Sequence, residues 1–235
     1  MKIVLQKAIA LSGFCSRRKA EVLIENNEIK INGQIAQKGD RVDLKKDKIE
    51  IRGKKLSSQP EAIYLMLNKP RGYTCTNRRF PNEKNIFDLL PNKERLFAVG
   101  RLDKDSRGLV LLTNNGDLAF KLSHPSFEHK KEYQVKLKEK VEKPKLISEK
   151  FIKGIDIGEN DGIAKAVGVE YLQNNIFIIT LSEGKKRQIR RMFNYFKLTI
   201  LDLKRISLSG ISLGNLEEGK WRNLNKKEIE YLLNK

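Results

Sequence analysis

The sequence predicts an α+β protein. A small N-terminal domain of two helices and a curled antiparallel sheet is expected over residues 1–59. A larger domain, 60–235, should follow, built on a large and mainly antiparallel sheet with few helices. Three observations carry this reading. Two apolar-periodic stretches with helix-capping residues open the chain. A polar segment with one proline, GKKLSSQPEA at 53–62, then breaks the pattern as a linker would. From 63 to 222 strand-type runs dominate, with hairpin-type turn signals at Asn114-Asn115-Gly116 and around Gln173-Asn174-Asn175.

Taken in order, Ile3, Leu5, Ala8 and Leu11 line one side of a short helix that Gly13 ends. Ser16 caps a second helix running to about Asn26, with Ala20, Leu23 and Ile24 facing inward. EIKING alternates Ile29 and Ile31 with polar residues and closes on Asn32-Gly33, a strand followed by a hairpin-type turn. Arg41-Val42-Asp43-Leu44 and Lys48-Ile49-Glu50-Ile51 repeat that alternation around a Lys/Asp turn. Beyond the linker, Tyr64 to Asn68 is an apolar strand that runs into the turn Lys69-Pro70-Arg71-Gly72. Leu109 to Thr113 reads as a buried strand, and Asp103 lies in the loop feeding it, where an Asp is ordinarily a turn former or a helix cap. Tyr133, Val135 and Leu137 alternate on a further strand, and by period alone Tyr133 is a core residue. Helices are expected near 87–90, 116–123, 143–153 and 184–196. The last places Ile189, Met192, Phe193 and Phe196 on one face amid basic residues, as an amphipathic surface helix or a membrane-surface helix would.

Charge narrows the class of partner. The chain carries 48 Lys and Arg against 29 Asp and Glu, a formal +19. Residues 1–59 hold 14 basic and 7 acidic side chains, so both halves are cationic and a polyanion is the natural partner; a membrane or an acidic protein would also fit. Arg17, Arg18 and Lys19 occupy the first turn of the second helix, where cations oppose the helix dipole. That placement fits either a phosphate ligand or a solvated charged face. Cys15 and Cys75 are far apart, and with only two histidines there is no ligand set for structural zinc, so free thiols are expected. Gln6 and Lys7 interrupt the N-terminal apolar run, and no apolar span of transmembrane length follows. The cytoplasm is the expected location.

The stretch LQKAIALSGFCSRRKAEVLIENNEIKINGQIA resembles the S4 RNA-binding domain. The resemblance implies RNA contacts, mainly to phosphates and sugars, from Lys7, Ser16, Arg17, Arg18, Lys19, Lys30 and Asn32. Four further motifs resemble the pseudouridine synthases that carry an S4 domain and modify ribosomal RNA. They are the strand ending NKPRG at 68–72, GRLDKDSRGLVLLTNNGDLAFKLSHPS at 100–126, KKEYQV at 130–135 and LSEGKKRQIRRMF at 181–193; the closing segment 203–224 is similar too. The family's core is a long mixed sheet with the active cleft crossing its middle.

The resemblance implies that Asp103 is the catalytic nucleophile or base, that Tyr133 stacks on a flipped-out uracil, and that Arg190 is the cation paired with Asp103. Lys69, Arg71, Arg101, Lys186 and Arg191 are expected on RNA. Ser106 stands where many relatives have Thr, and Arg107 where they often have a small or polar residue. A carboxylate that attacks the sugar, or removes its 2′-proton, needs neither a redox cofactor nor a metal. The expectation is a monomer acting on ribosomal RNA, free or in a partly assembled subunit, with the large subunit favoured. The rivals are a small-subunit or transfer-RNA enzyme, a non-catalytic ribosome assembly factor, and a cationic membrane-surface protein.

Overall fold

The computed structural model describes residues 2–91, 94–127, 129–158 and 161–234. The chain forms two compact units. One comprises Met1–Ile63 with Asn92–Leu96 and Asn114–Gly116; the other comprises Tyr64–Pro91, Phe97–Thr113 and Asp117–Lys235.

In the first unit, β1 (Ile3–Val4) leads into α1 (Leu5–Leu11) and α2 (Arg17–Glu25). The helix expected to include Ile3 begins only at Leu5. Ile3 and Val4 instead extend and pair with β4 (Arg41–Val42), as suits β-branched side chains. The Ser16 hydroxyl caps α2, accepting from the Lys19 N–H at 3.1 Å. β2 (Ile29–Ile31), β3 (Gln34–Ile35), β5 (Ile49–Ile51) and β6 (Lys54–Lys55) make an antiparallel sheet in the order β3-β2-β5-β6. β4 therefore lies outside the sheet to which its alternation assigned it. β6 carries the sheet into the segment read as a linker, because Arg52 and Gly53 both adopt positive φ and turn the chain back on β5. Leu5, Ala8, Ile9, Ala20, Leu23 and Ile24 of the helices close a core with Ile29, Ile49 and Ile51 of the strands.

The second unit is built on a nine-stranded mixed sheet. Its strands are β7 (Tyr64–Lys69), β8 (Phe97–Val99), β9 (Arg107–Thr113), β10 (Lys131–Leu137), β13 (Gly168–Leu172), β14 (Ile176–Leu181), β15 (Ile200–Leu208), β16 (Ile211–Ser212) and β17 (Trp221–Asn223). A separate two-stranded ribbon joins β11 (Ile155–Asp156) to β12 (Ile163–Ala164). The sheet's order is β13-β14-β10-β15-β9-β7-β17, with β8 on β9 and β16 on β15. Every pairing is antiparallel except β15 with β9, where Lys204 faces Arg107 and Arg205 faces Gly108. Gly108 makes this central seam possible. It holds φ +108°, and a Cβ there would stand 2.3 Å from the Arg205 carbonyl oxygen.

Leu109, Val110, Leu111 and Leu112 are all at most 2% exposed, as a strand covered on both faces requires. The helices α3 (Gly116–Ser123) and α6 (Lys226–Asn234) bury Leu118, Leu122 and Leu232 against Met66, Leu109 and Leu111. Phe151 of α4 (Pro144–Lys153) and Phe193 of α5 (Gln188–Tyr195) pack ring to ring at 5.0 Å, and Phe193 meets Phe177 of β14 at 5.4 Å. The turn at Asn114-Asn115-Gly116 leads into α3 rather than a hairpin, whereas Asn174 and Asn175, both at positive φ, do close the β13–β14 hairpin. The helix expected near 87–90 is a single 3₁₀ turn, Ile86–Leu89. Cys15 and Cys75 are buried free thiols. Among the described residues no helix is long and apolar enough to cross a membrane.

Candidate active site

A cavity of about 750 Å³ opens in the second unit beside the central seam. One wall is the loop from Gly100 to Ser106, which leaves β8 and enters β9. Gly100 turns it at φ +66°, and the Ser106 N–H donates to the Asp103 carbonyl at 3.0 Å. Underneath, Lys69 at the end of β7 is wholly buried. Its ammonium donates toward the carbonyls of Pro70 at 3.0 Å, Asp103 at 3.1 Å, Lys104 at 3.3 Å and Ser106 at 2.6 Å. Burial pushes the Lys69 pKa down, with Cys75, Asp103, Asp105 and Glu218 opposing the shift. The loop is thus pinned by its backbone, and the Asp103 carboxylate stays at the cavity.

The opposite wall comes from β10, β14, β15 and the loop before α5. Tyr133 of β10 is 9% exposed and lines the cavity with Leu181, Ile189 and Leu203. Gln188, almost fully buried at the start of α5, accepts from the Lys185 N–H at 3.0 Å and donates to Glu183 at 2.8 Å, which fixes the loop between them. Arg187 precedes the helix in the left-handed region, at φ +50°. Its guanidinium lies 4.0 Å from the Asp103 carboxylate and 3.7 Å from that of Asp105. Among the described residues this is the one ion pair of Asp103, and no side-chain hydrogen bond engages its carboxylate. Arg101, in the Gly100–Ser106 loop, is exposed at the cavity. Burial pushes the Cys75 thiol up, so it stays protonated beside the cations.

The expected pairing of Arg190 with Asp103 is not what the structure contains. Arg190 donates to the Asp105 carbonyl at 3.1 Å and to the Ser106 hydroxyl at 3.3 Å, supporting the loop from behind. Its pKa is lowered by burial and by Arg187, with Asp103 and Asp105 acting the other way. The reason is the helix start. α5 begins at Gln188 rather than 184, so the residue that turns toward Asp103 lies just before the first turn.

Three cations expected on RNA have other work. Lys69 is inaccessible. Arg191 is held by the carboxylate of Asp161 at 2.5 Å and by the carbonyls of Ile157, Gly158 and Lys186. Arg71 bonds the Leu201 carbonyl and the Asp202 carboxylate, the latter at 2.7 Å. Asp202 also takes two bonds from Arg107, at 2.8 and 2.6 Å, which gives the departure at position 107 a structural role. Lys186 is exposed on the cavity loop.

In the first unit Arg17, Arg18, Lys19 and Lys30 are exposed and Lys7 is half-buried. The side chains of Ser16 and Asn32 are engaged in the fold: Ser16 as the cap of α2, Asn32 in bonds to the Lys48 N–H and the Asp47 carboxylate at 2.8 and 2.9 Å.

The family model described as RNA pseudouridylate synthase matches residues 63–195, the span that contributes the cavity's loops and most of its strands. The chain belongs to the RNA pseudouridine synthases. A second model, the S4 domain, matches residues 5–49 of this synthase. It is 37% identical over 229 residues to the dual-specificity RNA pseudouridine synthase RluF of Salmonella typhi, covering 96% of this chain and 76% of that one. It is 36% identical over 233 residues to the ribosomal large subunit pseudouridine synthase B of Bacillus subtilis, covering 97% and 94%. A crystal structure of a pseudouridylate synthase superposes with a TM-score of 0.71 at 32% identity, covering 98% of this chain and 99% of that one. The synthase is therefore an isomerase of RNA uridines. Gln188 and Arg205 were not singled out by sequence reading, and Arg187 lay in the motif at 181–193 behind Arg190; the RQ pair opening the apolar-periodic stretch at 187–196 is the signal that bears on Arg187 and Gln188.

Proposed function

We propose that this synthase converts a uridine of large-subunit ribosomal RNA to pseudouridine, with Asp103 acting on the sugar and Tyr133 stacking on the flipped-out base. The observation that carries the reading is the Asp103 carboxylate. The main-chain carbonyl of Asp103 is held by Lys69 and by the Ser106 N–H, its side chain at the cavity has one long ion pair with Arg187 and no hydrogen bond among the described residues, and a buried aromatic lines the same cavity. A carboxylate so placed can bond to C1′ or take the 2′-proton, and in both routes the uracil leaves, turns and returns through C5. Stacking on Tyr133 offsets part of the cost of unstacking the base from its RNA neighbours.

Arg101, Lys186 and Arg187 around the opening supply positive charge for flanking phosphates. In the first unit the exposed first turn of α2 presents the side chains of Arg17, Arg18 and Lys19 beside the backbone N–H groups of Arg17 and Arg18, which suits phosphate contacts and shape readout. The large-subunit assignment draws on the Bacillus subtilis relative named for that subunit. The test is a map of pseudouridines in total RNA from cells with and without the gene. Loss of a large-subunit site is the expected result. Loss confined to small-subunit or transfer RNA moves the substrate, and a map without any loss refutes the proposal.

A further inference from the structure

The cavity wall holds a cation that the reaction as described leaves without a task. Arg205 lies on β15, opposite Tyr133 in the β10 register and beside Gly108 of β9. It is 1% exposed, yet it lines the cavity. Its Nε donates to the Leu109 carbonyl at 2.8 Å. Its Nη1 lies against Gly100, 3.6 Å from where a Cβ would stand on that first residue of the Asp103 loop. Its Nη2 is buried and has no hydrogen-bond partner. Among the described residues no carboxylate comes within ion-pair distance of this guanidinium.

Its surroundings add to the positive potential instead of neutralising it. Lys131, half-buried two residues before Tyr133, turns its ammonium to the carbonyls of His129, Ser182 and Glu183 at 3.1, 3.4 and 3.5 Å. Glu183, the other carboxylate on the cavity wall, is occupied by Gln188 and Lys185. A buried guanidinium with neither counter-ion nor complete hydrogen bonding destabilises a fold. At a cavity wall such a group points to a ligand that brings the missing negative charge.

The isomerisation generates that charge. When C1′–N1 breaks, the electron pair leaves with the uracil and spreads over N1 and the two carbonyl oxygens. C1′ meanwhile bonds to the Asp103 carboxylate, or the 2′-proton passes to that carboxylate and the sugar becomes an alkene. The base turns, C5 bonds to C1′, the C5 proton is released and N1 takes one up. Asp103 is restored, and in the second route C2′ regains its proton. Between cleavage and re-bonding the base is an anion.

We propose that Arg205 is a further catalytic residue, whose guanidinium holds a carbonyl oxygen of the flipped uracil and stabilises the negative charge on the detached base. The inference rests on the proposed reaction. Preorganised donors of this kind typically contribute about 10²–10³ in rate.

The test compares wild type with Arg205→Met and Arg205→Lys. The substrates are in vitro transcripts of the host's large- and small-subunit ribosomal RNA, made with uridine or with 5-fluorouridine. At saturating enzyme, one follows loss of the target nucleoside in a single turnover, RNA affinity and the melting temperature. Arg205→Met should melt at or above wild type, because a buried unneutralised charge is gone, and bind RNA within about twofold of wild type. It should consume uridine about 10²–10³ more slowly. Fluorine makes the departing anion more stable, so with 5-fluorouridine the deficit should shrink at least about tenfold; a merely structural Arg205 would slow both substrates equally. Arg205→Lys keeps the charge and should fall between the two, and it carries the comparison if the Met variant does not fold. An equal deficit on both bases, or no deficit, overturns the inference. A wild-type enzyme that consumes neither transcript overturns the proposed reaction itself.

Discussion

Replacing Lys69 by Met tests whether the catalytic loop is held by one buried ammonium. Three N–H groups face four carbonyl oxygens at 2.6 to 3.3 Å, so three can be engaged at once. Hydrogen bonds from a charged donor are worth about 1.5–3 kcal/mol each, a gross loss of roughly 4.5–9 kcal/mol. Removing the ammonium also removes its burial cost, seen in its lowered pKa, and a net loss of about 3–5 kcal/mol remains, as when one side of a buried charged contact is deleted. For a chain of this size each kcal/mol lowers the melting temperature by about 2–4 °C, so the drop should be about 6–20 °C.

The assay can be confined to the unit concerned. Trp221, the single tryptophan, pairs with Leu67 two residues before Lys69, so its fluorescence on heating follows this sheet. With the carbonyls on either side of the carboxylate released, the single-turnover rate should fall by about 10², the scale of a 1 Å misplacement. A Lys69→Met protein that melts within about 1 °C of wild type and turns over normally would refute the claim that these bonds hold the loop.

Asp103→Asn should abolish turnover of tritiated uridine RNA while RNA affinity stays near wild type, since the amide keeps the shape but can neither attack nor take a proton. Arg190→Ala should cost about 1–3 kcal/mol in thermal unfolding, because a charged donor to the Asp105 carbonyl and Ser106 is lost. Arg187→Ala, removing a long and exposed pair, should cost less than about 1 kcal/mol. The reverse order would show that Asp103 leans on Arg187. Asp202 gives a pH test: burial raises its pKa, but the bonds from Arg107 and Arg71 more than offset this and hold it below 3.8. Its stabilisation is present above that value and lost as pH falls through the lower folded value, so acid melts of Asp202→Asn should show a flatter loss below pH 3.8 than wild type. Reversing Arg17 and Arg18 to Glu should weaken RNA binding and flatten its salt dependence by roughly 0.7–0.9 log units per phosphate contact, with melting unchanged. An unaltered salt slope would read that turn as a solvated surface.

Much of the architecture was legible because its causes are local. The Ser16 cap, the alternation of Ile29 and Ile31, the apolar run Leu109 to Thr113 and the bounds of α3 and α4 all follow from capping, period and turn residues within a few positions of each other. Asp103, Tyr133 and the basic run at 185–191 were likewise found by motif, and the structure brings Asp103, Tyr133 and the first part of that run, Lys185 to Arg187, to one cavity.

What each charged side chain does there was decided by contacts between distant segments. Lys69 reads as a surface cation in a Pro/Gly turn, yet carbonyls 34 to 37 residues ahead enclose it. Arg205 looks like one more polar residue on a strand until the parallel seam, opened by Gly108, buries it beside the cavity. Arg187 and Arg190 differ by three positions in sequence. Which of them turns to Asp103 depended on the residue at which α5 starts, and that was set by the left-handed turn at Arg187 and by the bonds Gln188 makes to Glu183 and Lys185. A local pattern states that a cation is present; only the packing of segments far apart in the chain determines whether it meets a carbonyl, a carboxylate or the cavity.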